Sequence, residues 1–244
     1  REMTRDEVLG VGVGAPGPVD SEGTVYGAVN LGWGTFSIKK ELQTLLNMPV
    51  EAGNDANVAA LGEMWQGGAK GYEDVVLVTL ATGVRGGVIV HGKILSGSAG
   101  SAGEIGHVHV NDDEEASCNC GNKGCLEQYV SATGVVRLAN EKLAESDRPS
   151  LLRDRPMSAK AVWDAVKQGD PLAMEVAEDF GWYLGKALAV VAGVVNPEIF
   201  VIGGGVSKAG NVLIDYIQKN YQKYAFSGCR GPLFTLARLG NDAG

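Results

Sequence analysis

Cys118, Cys120 and Cys125 crowd into one short stretch of this chain, and His107 stands a little upstream of them. Thiolate sulfur and imidazole nitrogen are donors that zinc favours, and three of the first with one of the second complete a closed tetrahedron. Gly121 and Gly124 make the connecting loop pliable enough to turn its sulfurs inward. The expected chemistry is therefore a structural zinc ion on His107, Cys118, Cys120 and Cys125, able to shape a loop and unable to activate water. His109 is a lesser candidate ligand, and Cys229, remote in sequence, reads as a core thiol.

Polar groups suited to a polyhydroxylated ligand flank this loop. Glu104 and His107 precede it and Glu127 follows it, and carboxylates accept paired hydroxyl hydrogen bonds. Taken singly, each Glu is also what an ordinary solvated surface presents. Asn54-Asp55 follows a strand-like run and opens a helix. The pair suits a plain N-cap, and Asp55 equally suits a general base that takes a proton from a hydroxyl. Thr79 to Gly87, reading TLATGVRGG, resembles a turn whose backbone N–H groups and Thr82 hydroxyl cradle an anion. A glycine-rich hairpin has the same appearance. Gly203, Gly204 and Gly205 follow a strand and precede a helix, as a nucleotide loop does.

These residues need elements to hold them. The apolar run 8–15 closes on Pro16, Gly17 and Pro18 and predicts a strand followed by a loop. Ile38, Leu42, Leu45 and Leu46 recur at helical spacing until Pro49, and a short strand then ends at Gly53. Asn54 or Asp55 caps the next helix, whose apolar positions include Val58, Leu61 and Trp65. Residues 75–80 and 86–90 predict two strands joined by ATGVR, with a third after His91-Gly92-Lys93. Helices are expected over 127–143 and 159–167, and from Pro171, well placed as a first helical residue, to about Val195. Residues 197–207 then give a buried strand, the three glycines and a capped helix reaching Tyr224. Strands alternating with helices place the chain in the α/β class.

Composition narrows the choice of partners. The 244 residues, 45% hydrophobic, are enough for a real core, and 36 glycines against 8 prolines fit tight turns and close backbone approach to ligands. A net charge of -8 leaves no extended basic surface, so nucleic acid is not expected to bind through these residues. Clustered cysteines differ from the spread pairs of a secreted disulfide framework, which points to a reducing cytoplasm. There is no basic-then-apolar leader, and the most apolar stretch, 184–195, is too short to span a bilayer. The chain lacks an initiator Met and stops at NDAG, so both ends are expected to be cut.

Read in order, GVGAPGPV (12–19), NLGW (30–33), GNDANVAALGE (53–63), TLATGVRGG (79–87), GEIGH (103–107), CNCGNKGCLE (118–127), SATG (131–134) and IGGGVS (202–207) resemble the ROK family of bacterial sugar kinases and related repressors. The likeness runs along almost the whole chain and is greatest to the family's glucokinases. It implies an actin-like, ribonuclease-H-like two-lobed ATPase fold with a structural zinc loop. Residues 1–54 would be the remainder of a small N-terminal lobe and 55–244 a large lobe. It further implies that Asp55 is the catalytic base and that Asn54, Glu104, His107 and Glu127 contact the sugar. Thr82 and Gly83 would lie near the ATP phosphates, Gly203 to Gly205 near the adenosine, and magnesium would accompany ATP. The implied reaction is ATP-dependent phosphorylation of a hexose, glucose foremost, in a cytoplasmic dimer or tetramer. The alternatives are a kinase for another hexose or N-acetylhexosamine, and the sugar-sensing half of a repressor.

The chain departs from the family pattern in three places. The family's first phosphate loop and final helix are expected to be missing. In the hairpin, Ala81 and Arg85 replace glycines. A long cation at 85 would either crowd the phosphates and weaken ATP binding, or bind them.

Overall fold

The computed structural model describes residues 4–28, 31–240 and 243; Asn30, in the NLGW motif, lies outside the described residues. β1 (Val11–Ala15) pairs in parallel with β4 (Val50–Asn54), and β2 (Thr24–Ala28) forms an antiparallel hairpin with β3 (Trp33–Ser37). The first strand starts three residues later than its apolar run, because Val8 and Leu9 are exposed. Between β3 and β4 runs α1 (Ile38–Leu46), capped by the Ser37 hydroxyl and ended by Asn47 in the left-handed region at φ 49°. Ala15, Val19, Val25, Ala28 and Ile38 form a small core here, with Leu42 against it and Leu45 turned to solvent.

A second, larger core is organised by a five-stranded sheet in the order β7-β6-β5-β8-β9. β5 (Val75–Leu80) and β6 (Val84–Val90) are antiparallel, as is the short β7 (Lys93–Ile94) to β6, while β8 (Ile199–Gly203) and β9 (Leu233–Leu236) extend the sheet in parallel. Side chains of a strand alternate between faces, and β5 and β8 are apolar on both. Val75, Leu77, Ile199 and Val201 pack with Ala60 and Ala69 on one side. Val76, Val78, Leu80, Phe200 and Ile202 join the larger cluster on the other.

α2 (Asp55–Gln66) covers the first face, and the helices from α3 onward cover the second. Of the expected apolar positions of α2, Trp65 is 73% exposed and lines a cavity together with Val58 and Leu61. The expected helix over 127–143 is two helices, α3 (Glu127–Val130) and α4 (Ala132–Ala144). Ser131 divides them because its backbone is extended and its hydroxyl accepts from Gly134 N–H, capping α4. α5 (Ala159–Lys167) and α6 (Pro171–Val195) have the predicted bounds, with Ser158 and Asp170 as side-chain N-caps. After the three glycines the chain makes a 3-10 turn, Val206–Ala209, and Gly210 at φ 85° separates it from α7 (Asn211–Tyr224). α6 and α7 meet closely: a Cβ on Gly181 would stand 2.5 Å from the Tyr216 carbonyl oxygen.

One buried carboxylate fastens α2 to the segment after β9. Glu63 is 1% exposed, and its two oxygens accept from the backbone N–H groups of Gly68, Arg238 and Leu239 at 2.7 to 3.1 Å. Glu63→Ala would strand these donors away from water. It is expected to lower stability by about 3–5 kcal/mol, read in calorimetry as a Tm fall on the order of 10 °C. A fall of a degree or two would show that water replaces the carboxylate.

Candidate active site

The metal-type residues converge. The ligand atoms of His107, Cys118, Cys120 and Cys125 all lie within 4.8 Å of one another. Cys120 Sγ is 3.6 Å from Cys125 Sγ, and Cys118 Sγ is 3.7 Å from His107 Nδ1. With Zn–S bonds of about 2.3 Å, the edges of a zinc tetrahedron are about 3.5–3.8 Å, so these spacings suit shared coordination. Burial and the adjacent sulfurs push the Cys125 thiol up to about 12; a cation is what would let such a cluster ionise. The donor set and spacing fit zinc.

The loop is held by its own backbone. Cys118 N–H donates to Asn122 O and Val110 N–H to Gly124 O, each at 2.7 Å. Gln128 adds a brace by accepting from Cys125 N–H at 3.0 Å and donating to Ala116 O at 2.9 Å. A second brace joins Glu114 to the Tyr129 hydroxyl at 2.7 Å and to Arg137 at 2.9 Å. No motif announced Gln128, Glu114 or Arg137; only the neighbouring Glu127 hinted at the first. His109 stands apart from the cluster, its ring nitrogens facing Lys123 O and Asp112. Its pKa is raised chiefly by the Asp112 hydrogen bond. Cys229 is buried in the main core, as expected.

Beside the loop opens a cavity of 640 Å³ whose wall includes Asn54, Glu104, His107 and Glu127 together with Thr82, Gly83 and Arg85. His107 Nδ1 faces Cys118, which leaves Nε2 as the ring nitrogen for a ligand. Asn54 is heavily committed. Its oxygen caps α2 by accepting from Ala56 and Asn57 N–H, and its amide donates to Gly17 O at 2.9 Å. One amide hydrogen remains for a ligand. Glu127 ties the loop to the β5–β6 turn: Oε2 accepts from Val84 N–H at 2.8 Å, and Oε1 lies 3.9 Å from Cys118 Sγ.

A neighbouring cavity of 520 Å³ is lined by Asp55, Thr79, Ala81, Thr82, Gly83 and Arg85, among others. Asp55 is the first residue of α2, where the helix dipole favours a negative charge. Its carboxylate forms an ion pair with Arg85. The two side chains are 40% and 47% exposed, a setting in which ion pairs contribute about 0–1 kcal/mol to stability. The pair is thus a feature of the site rather than a prop of the fold. Gly203 pairs with Thr79 across parallel strands, so the three glycines leave the sheet at the same end as the 81–83 turn. They do not line the 520 Å³ cavity. Gly204, at φ 84°, lets the chain pass close to Leu80, whose carbonyl oxygen would lie 2.4 Å from an added Cβ.

Comparison with known proteins adds four findings. The sequence model of the ROK family matches residues 1–244. A glucokinase from Halalkalibacterium halodurans is 44% identical over 247 residues, covering 99% of this chain and 75% of its own length. Among solved structures, a ROK family glucokinase from Streptomyces griseus in complex with glucose and AMPPNP superposes with a TM-score of 0.80 at 35% identity, over 97% of this chain and 79% of that one. A ROK family transcriptional regulator gives a TM-score of 0.85 at 28% identity, over 96% of this chain and 60% of that one. The actin-like α/β fold expected from the motifs is the fold observed. Among the described residues, no helix is long and apolar enough to cross a membrane.

Proposed function

The chain belongs to the ROK family, and from that premise we propose that it transfers the terminal phosphoryl group of ATP to a hydroxyl of a hexose, glucose foremost. The observation that carries this reading is the pairing of two cavities along a common wall. One is lined by hydroxyl-binding side chains, the other by Asp55 and a glycine turn. In the proposed reaction Glu104, His107 and Glu127 bind the sugar, with Asn54 adding its spare amide hydrogen. Asp55 takes the hydroxyl proton as the oxygen attacks phosphorus, the bond to ADP breaks, and ADP leaves with the negative charge. Magnesium, when bound with ATP, supplies charge neutralisation on the phosphates. Backbone N–H groups and the Thr82 hydroxyl at the 81–83 turn face those phosphates, and Gly203 to Gly205 lie toward the adenosine. The division between a small lobe, 1–54, and a large lobe, 55–244, would run beside this site. Zinc on His107 and the three cysteines shapes the sugar wall and takes no part in the chemistry. The setting we infer is a cytoplasmic homo-oligomer.

The test is an ADP-release assay with ATP and a panel of glucose, mannose and N-acetylated hexosamines. Turnover with glucose above the others supports the reading, and preference for an N-acetylated sugar would reassign the substrate. The likeness to a ROK transcriptional regulator favours a second reading, a sugar sensor. Sugar binding in calorimetry without any ATP turnover would select it.

A further inference from the structure

The wall between the two cavities holds one cation. Ala56, Thr82, Gly83 and Arg85 line both spaces, and Arg85 is the one Lys or Arg among the described residues lining either. Asp55 lines the cavity with the glycine turn, while Glu104, His107 and Glu127 line the other. The base thus lines one cavity and the residues that would bind a hydroxyl line the other, with Arg85 on the wall of both. Among the described residues, Asp55 is the side chain that Arg85 contacts.

We propose that Arg85 is an exchangeable latch: its guanidinium holds the Asp55 carboxylate until the terminal phosphate of ATP takes it over, freeing Asp55 to turn toward the hydroxyl. The inference rests on Asp55 as general base and ATP as donor, and deepens that reading. A guanidinium pairs with phosphate as it does with carboxylate, through parallel N–H groups, and phosphate brings the greater negative charge. The pair to be broken is half-exposed and weak. The Arg85 backbone is fixed in β6, opposite Thr79, so rotation of the side chain is enough for the transfer. The latch thus makes the cation at 85 a phosphate ligand rather than an obstruction.

The test is a cycle of binding titrations on the intact protein, with a non-hydrolysable ATP analogue and with ADP, for wild type, Asp55→Asn, Arg85→Gly and the double variant. Arg85→Gly should weaken binding of the analogue about tenfold and leave ADP nearly unchanged. Arg85→Lys, which keeps charge without the fork, should recover part of that loss. Asp55→Asn should bind the analogue about threefold to tenfold more tightly, because the competitor for Arg85 is gone, and in the Arg85→Gly background it should have no effect. Equal tightening in both backgrounds would reveal plain carboxylate–phosphate repulsion and overturn the latch. So would an Arg85→Gly variant that binds the analogue as well as or better than wild type. Hexose phosphorylation by wild type alongside either result would leave the kinase reading standing; wild type that binds no ATP analogue and phosphorylates no hexose would sink both.

Discussion

Asp55→Asn is expected to lower the rate of hexose phosphorylation by about 10²- to 10⁴-fold, the usual contribution of a positioned general base. The amide has nearly the same shape and no basic oxygen. The fold should survive, because Asn54 caps α2 through Ala56 and Asn57 N–H, an amide oxygen at 55 can still accept from Ala56 N–H as Asp55 Oδ1 does, and the ion pair lost with Arg85 is half-exposed. Hexose affinity should hardly change, since Asp55 lies outside the wall that carries Glu104, His107 and Glu127. The diagnostic pattern is a collapse of kcat with a preserved KM for sugar and an unchanged Tm. Retention of more than a tenth of wild-type turnover would assign proton removal elsewhere. A loss of Tm equal to that of a core variant would show a structural role instead.

Removing the metal should act on stability and sugar binding together. Cys125 is 1% exposed and pairs with Cys120 at 3.6 Å, and its backbone N–H is held by Gln128 at the start of α3. Cys125→Ser breaks the donor set at its most enclosed member. Purified wild type is expected to carry one zinc per chain by elemental analysis, and the variant none. Because metal binding and loop order are one equilibrium, the variant should lose on the order of 10 °C in Tm and bind hexose about tenfold or more weakly. The sugar term follows from two contacts: His107 and Glu127 both face Cys118 and both line the sugar-side cavity. Zinc-free wild type with full sugar affinity would refute the assignment. Strong chelators should reproduce the loss in wild type and change nothing in the variant.

What could be read from the sequence was local. β5 and β8 showed their two apolar faces as uninterrupted runs, and α6 announced its start through Pro171. The zinc-type set was legible because cysteines are rare and three stood together. Whatever depended on distant partners was hidden. Glu63 looks like any helical Glu until a segment 175 residues away brings Arg238 and Leu239 N–H onto it. Trp65 falls on the apolar stripe of α2 by spacing, yet that stripe faces an open cavity shared with Tyr72 and Leu239. The break at Ser131 was visible only as a residue that caps well. Arg85 was plainly unusual in its motif, but its contact with Asp55 crosses from strand to helix, and no spacing encodes that.

The contact between Glu127 and the β5–β6 turn bears on how the protein can vary. Gly83 is not in the left-handed region, so any residue could adopt its backbone; what a Cβ would meet is the Glu127 oxygen, 2.5 Å away, which would have to move. That same oxygen accepts from Val84 N–H. Positions 83 and 127 should therefore not drift independently. In a saturation library scored for activity, side chains at 83 should cost activity by pushing Glu127 off Val84 N–H, and a shorter residue at 127 should make them easier to accommodate. A substitution that relaxes the turn would then remove a sugar-side acceptor and a neighbour of the cysteine cluster in the same step. Specificity for sugar and accommodation of phosphate are, at this point of the chain, a single inherited character.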